Sequence, residues 1–319
     1  MTKNFNMKIS IITVAKNNKA GLLGAIECVR KQTYKNIEHI IVDGGSIDGT
    51  VEILKQVQDD IRSAQYDSRL TTNYSLLTIS ETDSGIYDAI NKGIKLATGD
   101  VIGLLHSDDL YADENVLERY AEIFKRPFDF AQGDNVDAVY SDLVYVRKKR
   151  EVRSRKSEVE NSETTNYLLP TTYSTIRYWK THKSVISNRS SVNSSDTDHH
   201  LLVTDHLLKK GWMPPHPTLF IRKELFTKYG FYRTDMKIAA DYEMILRLLY
   251  KHKINSHYLP ITTYLMSIGG ASNKSLKNIL QKSKEDYLAM KINGISIPVF
   301  TLAIKNLRKL PQFLAHDVL

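Results

Sequence analysis

The stretch "GIYDAINKGIKLATGDVIGLLHSDDLY", residues 85–111, decides the fold. Its first part repeats apolar residues at helical spacing up to Gly99, and "VIGLLH" then indicates a short buried strand. Asp108 and Asp109 follow the end of that strand. Adjacent carboxylates repel each other, and burying either one is unfavourable unless a cation lies between them. A solvated turn is the competing interpretation, because Ser-Asp-Asp is also a good turn sequence.

Strands and helices alternate through the first half of the chain. The hydrophobic pattern predicts strands over 8–15, 37–45, 76–81 and 136–146, and helices over 20–32, 48–57 and 114–124. Such alternation predicts a mainly parallel open α/β sheet flanked by helices, with right-handed crossovers. Further along, we expect an amphipathic helix over 238–252, a strand over 256–266 and two helices from Ser275 onward.

Polar, aperiodic stretches interrupt this pattern. We interpret them as surface insertions, near 58–75, 128–135, 154–174 and 182–206. The expected organisation is one large domain over 1–268, followed by a small helical C-terminal extension over 269–319.

Composition narrows the possible partners. The net charge of +8 comes from 44 basic and 36 acidic residues among 319, and the segment 270–319 holds eight basic and three acidic residues. No helix-turn-helix or zinc pattern accompanies the basic runs, which argues against nucleic acid as a partner. The single cysteine, Cys28, excludes a disulfide framework. With no signal peptide and no apolar run long enough to cross a bilayer, we expect a cytoplasmic protein.

Four aspartates follow the ends of predicted strands, namely Asp43, Asp83, Asp108 and Asp109. Ligands of open α/β sheets bind beyond the carboxyl ends of the strands, so these side chains are expected at one rim. Carboxylate oxygens suit Mg²⁺ or Mn²⁺, which usually complete their coordination with substrate phosphates. The chain has neither GxxxxGK[ST] nor GxGxxG after its first strand. A metal ion would therefore replace a glycine-rich loop in holding a nucleoside diphosphate or triphosphate.

Six motifs carry a family resemblance: "ISIITVAKN", "IIVDGGSIDGT", "SETDSGIYDAINKGIKLATGD", "LLHSDDLY", "HPTLFIRKELF" and "IAADYEMILRLLYKH". In this order they resemble a family 2 glycosyltransferase with the GT-A fold, most of all the WcaA/WfgS-like enzymes of bacterial O-antigen, capsule and exopolysaccharide assembly. The resemblance covers most of residues 7–290 outside the insertions. It implies an inverting, metal-dependent transfer of a sugar from a nucleotide-diphosphate donor to a saccharide or polyprenol-linked acceptor. UDP is the favoured carrier, with GDP and dTDP left open.

The resemblance also implies roles for residues that bind the donor and the metal. Thr13 would contact the base of the nucleotide, and Asp43 would hydrogen-bond its pyrimidine ring. Asp83 would lie along the same nucleotide groove. Asp108 would reach the ribose or the metal, and Asp109 would be the principal metal ligand.

On the acceptor side, the resemblance implies that Asp241 is the catalytic base and that His216 lines the acceptor or diphosphate side. A carboxylate complementing the dipole of its helix is the alternative for Asp241. The neighbouring Glu243 faces another way along the helix. One departure from the family pattern is His106, where members commonly carry Asn.

Two other functions remain open on the sequence. A sugar nucleotidyltransferase also uses an α/β sheet with carboxylate-bound Mg²⁺, although the Gly/Arg-rich phosphate loop it needs near the N-terminus is missing. A degenerate protein would bind a nucleotide sugar without turnover, its acceptor side blocked by the insertions.

The end of the chain suggests contact with a membrane. In "VFTLAIKNLRKLPQFLAH" one helix face holds Phe300, Ala303, Ile304, Leu307 and Leu314, and another holds Lys305, Arg308 and Lys309. This pattern is typical of a helix lying on anionic lipid. A helix docked on the catalytic domain is the alternative.

Overall fold

The computed structural model describes residues 7–65, 74–125, 135–148, 173–179, 206–267 and 276–307. The strands of this part of the chain are β1 Ile9–Ala15, β2 Ile37–Asp43, β3 Tyr74–Ser80, β4 Val101–Leu104, β5 Leu110–Tyr111, β6 Ala138–Lys148, β7 Tyr173–Trp179, β8 Phe220–Arg222 and β9 Ser256–Ser267. The helices are α1 Lys19–Arg30, α2 Thr50–Gln65, α3 Ile86–Leu96, α4 Val116–Phe124, α5 Glu224–Tyr229, α6 Ala240–Ile245, α7 Leu276–Ile292 and α8 Pro298–Leu307. A π-helical segment, Leu246–Lys251, continues α6.

The first half of the sheet is parallel, with the strand order β3-β2-β1-β4. The register pairs Ala15 with Asp43, and Asp43 with Ser80, so three of these strands end in one row. Leu104, the last residue of β4, pairs with Ile12. The carboxyl ends of the parallel strands therefore share one edge of the sheet, as predicted.

The second half of the sheet is mixed. β8 is antiparallel to both β4 and β6, β9 is parallel to β6, and β5 and β7 are antiparallel to β9 and β6 respectively. The predicted class, an open α/β sheet flanked by helices, is confirmed. Its parallel character is confined to the first four strands and to the β6–β9 pair.

The hydrophobic core lies on both faces of the central strands β1 and β2. Every residue of β1 and β2 is buried. Successive side chains of β1 point to opposite faces. Ile9 and Ile11 join one hydrophobic cluster, while Ile12 and Val14 join another on the other side of the sheet. A strand covered on both faces gains burial at every position, which favours a continuous apolar run over alternation.

One predicted insertion is wrong in part. Helix α2 runs on to Gln65 and β3 begins at Tyr74, so the stretch 58–75 contains helix and strand at its two ends. Leu54 is buried, and Val57 and Ile61 pack on core clusters at helical spacing, while the polar residues between them face solvent. Likewise β7 begins inside the predicted insertion 154–174 and a helical turn begins at 206. The rest of 154–174 and 182–206, and all of 128–135 except its last residue, lie outside the described residues.

The two helices expected at the end of the chain are present, and Lys305 agrees with the docked alternative for the second of them. Its ammonium group is buried, 2.8 Å from Asp286 Oδ1 on α7 and 3.0 Å from the ring centroid of Tyr242. Thr301 is buried beside it and donates to the backbone carbonyl of Lys209 at 2.9 Å. The polar side of α8 therefore docks on the protein. Arg308, Lys309 and Leu314 lie outside the described residues.

Replacing Lys305 with methionine should lower the free energy of unfolding by about 3–5 kcal/mol, because it leaves the buried Asp286 carboxylate without its cation. The exposed Lys291→Met on α7 is the matched control, with an expected change within about 0.5 kcal/mol. Urea unfolding of both variants measures the difference. Equal stability of the two variants would contradict the assignment of a structural ion pair.

Candidate active site

Asp43 and Asp83 lie together at the ends of β2 and β3. The Asp43 carboxylate is fully buried and accepts from the Ser46 amide at 3.0 Å, from the Ser80 hydroxyl at 2.6 Å and from the Ser46 hydroxyl. Asp83 packs over Gly44, where an added Cβ would lie 2.3 Å from its Oδ2. Glycine at position 44 thus permits two acidic side chains to approach each other at this rim.

Two asparagines that the sequence analysis did not single out connect this rim to the next strand end. The Asn17 amide donates to the Ser46 hydroxyl at 2.7 Å, and its side-chain oxygen accepts from the Ile47 amide at 2.9 Å. Asn18 donates to the Ser107 hydroxyl at 3.0 Å and caps α1 by accepting from a backbone amide. The turn after β2 and the turn after β4 are therefore held to the same short loop.

Asp108 and Asp109 follow β4 in different environments. Asp108 is exposed, whereas the Asp109 side chain is only 2% exposed. Asp109 Oδ1 accepts from the Ser267 amide at 2.9 Å, at the end of β9. The Tyr264 hydroxyl, on the same strand, accepts from the His106 amide at 3.1 Å. The last strand of the sheet thereby fixes the aspartate pair.

The electrostatics of this pair suit a divalent cation. Burial, together with the neighbouring charge of Asp108, raises the pKa of Asp109 to about 8. Within the described residues neither aspartate forms an ion pair with Lys or Arg. No group of three potential ligands occurs in that same part of the chain. Oxygen donors of this kind fit Mg²⁺ or Mn²⁺.

Asp241 stands in the first turn of α6 and is half-buried. Its Oδ1 accepts from the Tyr242 amide at 2.8 Å and lies 3.3 Å from the hydroxyl of Tyr87. The Tyr87 hydroxyl also donates to the backbone carbonyl of Ile238 at 2.8 Å. Tyr87 is on the first turn of α3, shortly after Asp83 and Gly85, so α3 joins the rim at Asp83 to the Asp241 carboxylate.

Two histidines lie near the same carboxylate. His216 is buried with its Nε2 2.8 Å from the Tyr232 hydroxyl, and the Tyr232 ring stacks on Tyr87 with centroids 5.8 Å apart. Burial, opposed by the charge of Asp241, lowers the pKa of His216. Burial lowers the pKa of His106 to about 4, and the nearby His216 adds to this. His106 Nδ1 is buried and has no hydrogen-bond partner among the described residues.

Thr13 is the predicted site residue that the structure does not bring to this rim. Its side chain is fully buried within β1, and its hydroxyl lies 2.8 Å from His39 Nε2. The other nitrogen of His39 lies 3.0 Å from the Tyr74 hydroxyl, which completes a polar chain across three strands. The threonine hydroxyl is therefore used inside the sheet, two residues before the strand ends.

A carboxylate from the C-terminal helices supports the segment before Asp241. Glu285 on α7 accepts from three consecutive backbone amides, those of residues 237–239, at 3.1, 2.8 and 2.9 Å. Glu243 has a different environment: it is buried, pairs with Arg247 at 3.0 Å and contacts Asn293. Of the acidic residues of α6, Asp241 alone is left facing the rim, in agreement with the sequence analysis.

Residues 10–185, more than half of the chain, match the family described as glycosyl transferase family 2. The chain belongs to this family. It is 36% identical over 115 residues to an "uncharacterized glycosyltransferase" of Mycobacterium tuberculosis, covering 36% of this chain and 38% of that protein. Over 127 residues it is 33% identical to a "PGL/p-HBAD biosynthesis glycosyltransferase" of Mycobacterium bovis, covering 39% of this chain and 45% of that protein. The matches thus span less than half of these relatives.

Solved glycosyltransferase structures share the fold. The match with Staphylococcus aureus TarS 1–349 has a TM-score of 0.56 at 16% identity, and it covers 96% of this chain and 72% of the TarS chain. The match with the mannosyltransferase PcManGT of Pyrobaculum calidifontis, solved with GDP-Man and Mn²⁺, has a TM-score of 0.51 at 14% identity. It covers 99% of this chain and 77% of the PcManGT chain. At these identities the likeness establishes the fold of this family 2 member, which is that of GT-A glycosyltransferases.

Proposed function

We propose that this family 2 member is an inverting glycosyltransferase that takes its sugar from a nucleotide-diphosphate donor. The observation that carries the proposal is a set of five carboxylates, four of which follow the carboxyl ends of β2, β3 and β4, while the fifth is linked to them through the Tyr87 hydroxyl. They are Asp43, Asp83, Asp108, Asp109 and Asp241. Asp43 and Asp83 lie at the ends of β2 and β3, and Asp108 and Asp109 follow β4. The Asp241 carboxylate contacts the hydroxyl of Tyr87.

The donor would lie across this edge. Asp43 and Asp83 would bind its nucleoside, and the diphosphate would lie at Asp108 and Asp109. A divalent metal held by this pair would neutralise the charge that develops on the departing diphosphate. Asp109 is buried and pairs with no lysine or arginine among the described residues, which supports such an ion, and the carrier we favour is UDP. TarS has been crystallised with UDP-GlcNAc, which supports a donor of this class in the same fold.

Asp241 would act as the general base. It would take the proton of the acceptor hydroxyl as that oxygen bonds to the anomeric carbon and the bond from this carbon to the diphosphate oxygen breaks. A single displacement of this kind inverts the anomeric centre, and its transition state has the oxocarbenium character known from glycoside hydrolysis. The Tyr87 hydroxyl and the Glu285-supported segment would hold the base in position. His216 would line the acceptor or diphosphate side.

The acceptor we propose is a saccharide or a polyprenol-linked saccharide of cell-surface polysaccharide, as in the WcaA/WfgS-like enzymes. The reaction would take place at the cytoplasmic side, where nucleotide sugars are made. Residues 1–268 would carry the catalysis, with 269–319 as the extension.

A donor panel tests the proposal. The protein is incubated with UDP-, GDP- and dTDP-sugars with Mn²⁺ or with a chelator, and released nucleoside diphosphate is measured. We expect one carrier to be consumed in the presence of metal, and the Asp241→Asn variant to be inactive with the same donor. Release of pyrophosphate would instead indicate nucleotidyl transfer. Binding of donors without any turnover, with a wide range of acceptors, would indicate a degenerate binding protein.

Removal of the Tyr87 hydroxyl should affect turnover more than donor binding. Tyr87→Phe keeps the ring stacked on Tyr232 but removes the contacts to Asp241 and to the carbonyl of Ile238. We expect kcat to fall by roughly tenfold, the equivalent of one hydrogen bond, with little change in the KM of the donor. Tyr250→Phe, whose hydroxyl lies 3.4 Å from a carbonyl away from the rim, is the control. A rise in KM alone would contradict the positioning role.

A further inference from the structure

Helix α8 presents its apolar side to solvent. Its polar residues Thr301 and Lys305 face the protein, as described above, whereas Val299 and Phe300 are 68% and 62% exposed and Leu307 is 60% exposed. Most helices on the surface of a protein have the opposite arrangement, with the apolar stripe against the core. An outward apolar stripe on a docked helix therefore indicates a surface that contacts something else.

Helix α7 adds charge of one sign beside further apolar side chains. Lys277, Lys284 and Lys291 are exposed and recur every seven residues, so they form a row along one side of the helix. Leu280 and Leu288, 65% and 39% exposed, lie next to this row. The solvent side of the helix is thus an apolar stripe bordered by lysines.

The acidic residues of the same segment face inward. Residues 276–307 contain only two, Glu285 and Asp286, and both are buried. Glu285 binds the backbone amides before Asp241, and Asp286 binds Lys305. The outer side of α7 and α8 therefore carries exposed cations and apolar groups but no exposed carboxylate.

We propose that the outer side of α7 and α8 binds the surface of a membrane that contains anionic lipid. Apolar side chains would enter the region between headgroups and acyl chains, while the lysine row would contact lipid phosphates. No described helix has the length and apolarity needed to cross a bilayer. A symmetric pair of chains meeting through this face would bring two sets of lysines together with no exposed carboxylate on either face, which disfavours a dimer. The inference stands apart from the proposed transfer reaction.

Flotation of the full chain with lipid vesicles tests the proposal without any donor or acceptor. Vesicles of phosphatidylcholine alone are compared with vesicles that also contain phosphatidylglycerol. We expect flotation with the anionic vesicles, decreasing as salt is raised. Two double variants should each weaken vesicle binding by roughly tenfold or more. Val299→Ser/Phe300→Ser removes apolar side chains that would enter the membrane, and Lys284→Glu/Lys291→Glu removes the attraction to lipid phosphates.

Matched controls separate this surface from general effects. Leu96→Ser removes an exposed apolar side chain of α3, and Lys55→Glu/Lys251→Glu reverses two exposed charges elsewhere. Both controls should float like the unaltered chain, and urea unfolding should show that all variants are folded. No flotation, or equal loss in the controls, would overturn the proposal. So would a dimer in the absence of lipid that the Val299→Ser/Phe300→Ser variant abolishes, since that result would assign the face to a second copy.

Discussion

Asp109→Asn is expected to make the metal-free protein more stable at neutral and alkaline pH. In the unfolded chain Asp109 loses its proton near its ordinary pKa of 3.8, whereas in the folded protein it keeps the proton up to about pH 8. The folded state therefore binds one more proton between these values, and the contribution of Asp109 to stability falls as the pH rises from 4 to 8. Over this pH range Asp109 lowers the free energy of unfolding by an amount on the order of 5 kcal/mol. Asparagine has no charge to bury, and its side-chain oxygen can still accept from the Ser267 amide.

Thermal unfolding in the presence of a chelator, at pH 4.5 and pH 8, measures this effect. The variant and the unaltered protein should melt at similar temperatures at pH 4.5, and the variant should melt several degrees higher at pH 8. Asp108→Asn is the matched control, because the carboxylate of Asp108 is exposed. The melting temperature of this control at pH 8 should rise much less. A variant that is less stable than the unaltered protein at pH 8 would contradict the burial of an unpaired carboxylate. Mn²⁺ should raise the melting temperature of the unaltered protein only.

Asp241→Asn should abolish most of the transfer activity while donor binding is retained. A general base typically accelerates a reaction by about 10²–10⁴-fold, and asparagine cannot accept the acceptor's proton. The substitution keeps the contacts of Oδ1 with Tyr87 and the Tyr242 amide, so the rim itself should not change. The loss should appear in kcat, measured with the donor that the panel identifies.

The exposed Asp235→Asn, close by in sequence and paired with Arg233, is the control for this prediction. Its activity should stay within about twofold of the unaltered protein, as for a surface substitution away from the site. Asp241→Asn with a kcat above a tenth of normal would contradict the role of base. The carboxylate would then be only a residue that complements the helix N-terminus.

The parallel half of the fold and most of the rim follow from local pattern. The spacing of apolar residues distinguishes strands from helices within short segments of sequence, and parallel strands bring their carboxyl ends to one edge of the sheet. This reasoning places Asp43, Asp83, Asp108 and Asp109 without any structure. The antiparallel pairing of β8 could not be predicted in the same way, because the direction of a strand depends on contacts far along the chain.

Distant contacts also explain what the sequence analysis missed within the site. Tyr87 and Asp241 are 154 positions apart, and Ser267 lies 158 positions from Asp109. The sequence left open whether Lys305 faces lipid or the protein, because helical spacing defines a face but does not tell which neighbour covers it. Its burial depends on Asp286 and Tyr242, which only the packing of α7 and α6 brings to it. Thr13 was carried over from a motif, whereas its hydroxyl is engaged with His39 inside the sheet.

The most direct test of the account is a calorimetric titration of UDP into the protein, with and without Mn²⁺, on the unaltered chain and on Asp109→Asn. We predict binding that needs the metal and is lost in the variant, which would show that the paired aspartates hold a cation and the cation holds a diphosphate. GDP and dTDP are titrated in parallel to identify the carrier. Two results would contradict the assignment of a diphosphate held by the aspartate pair through a cation. One is no binding of any of the three nucleotides, with or without Mn²⁺, and the other is metal-dependent binding that survives in Asp109→Asn.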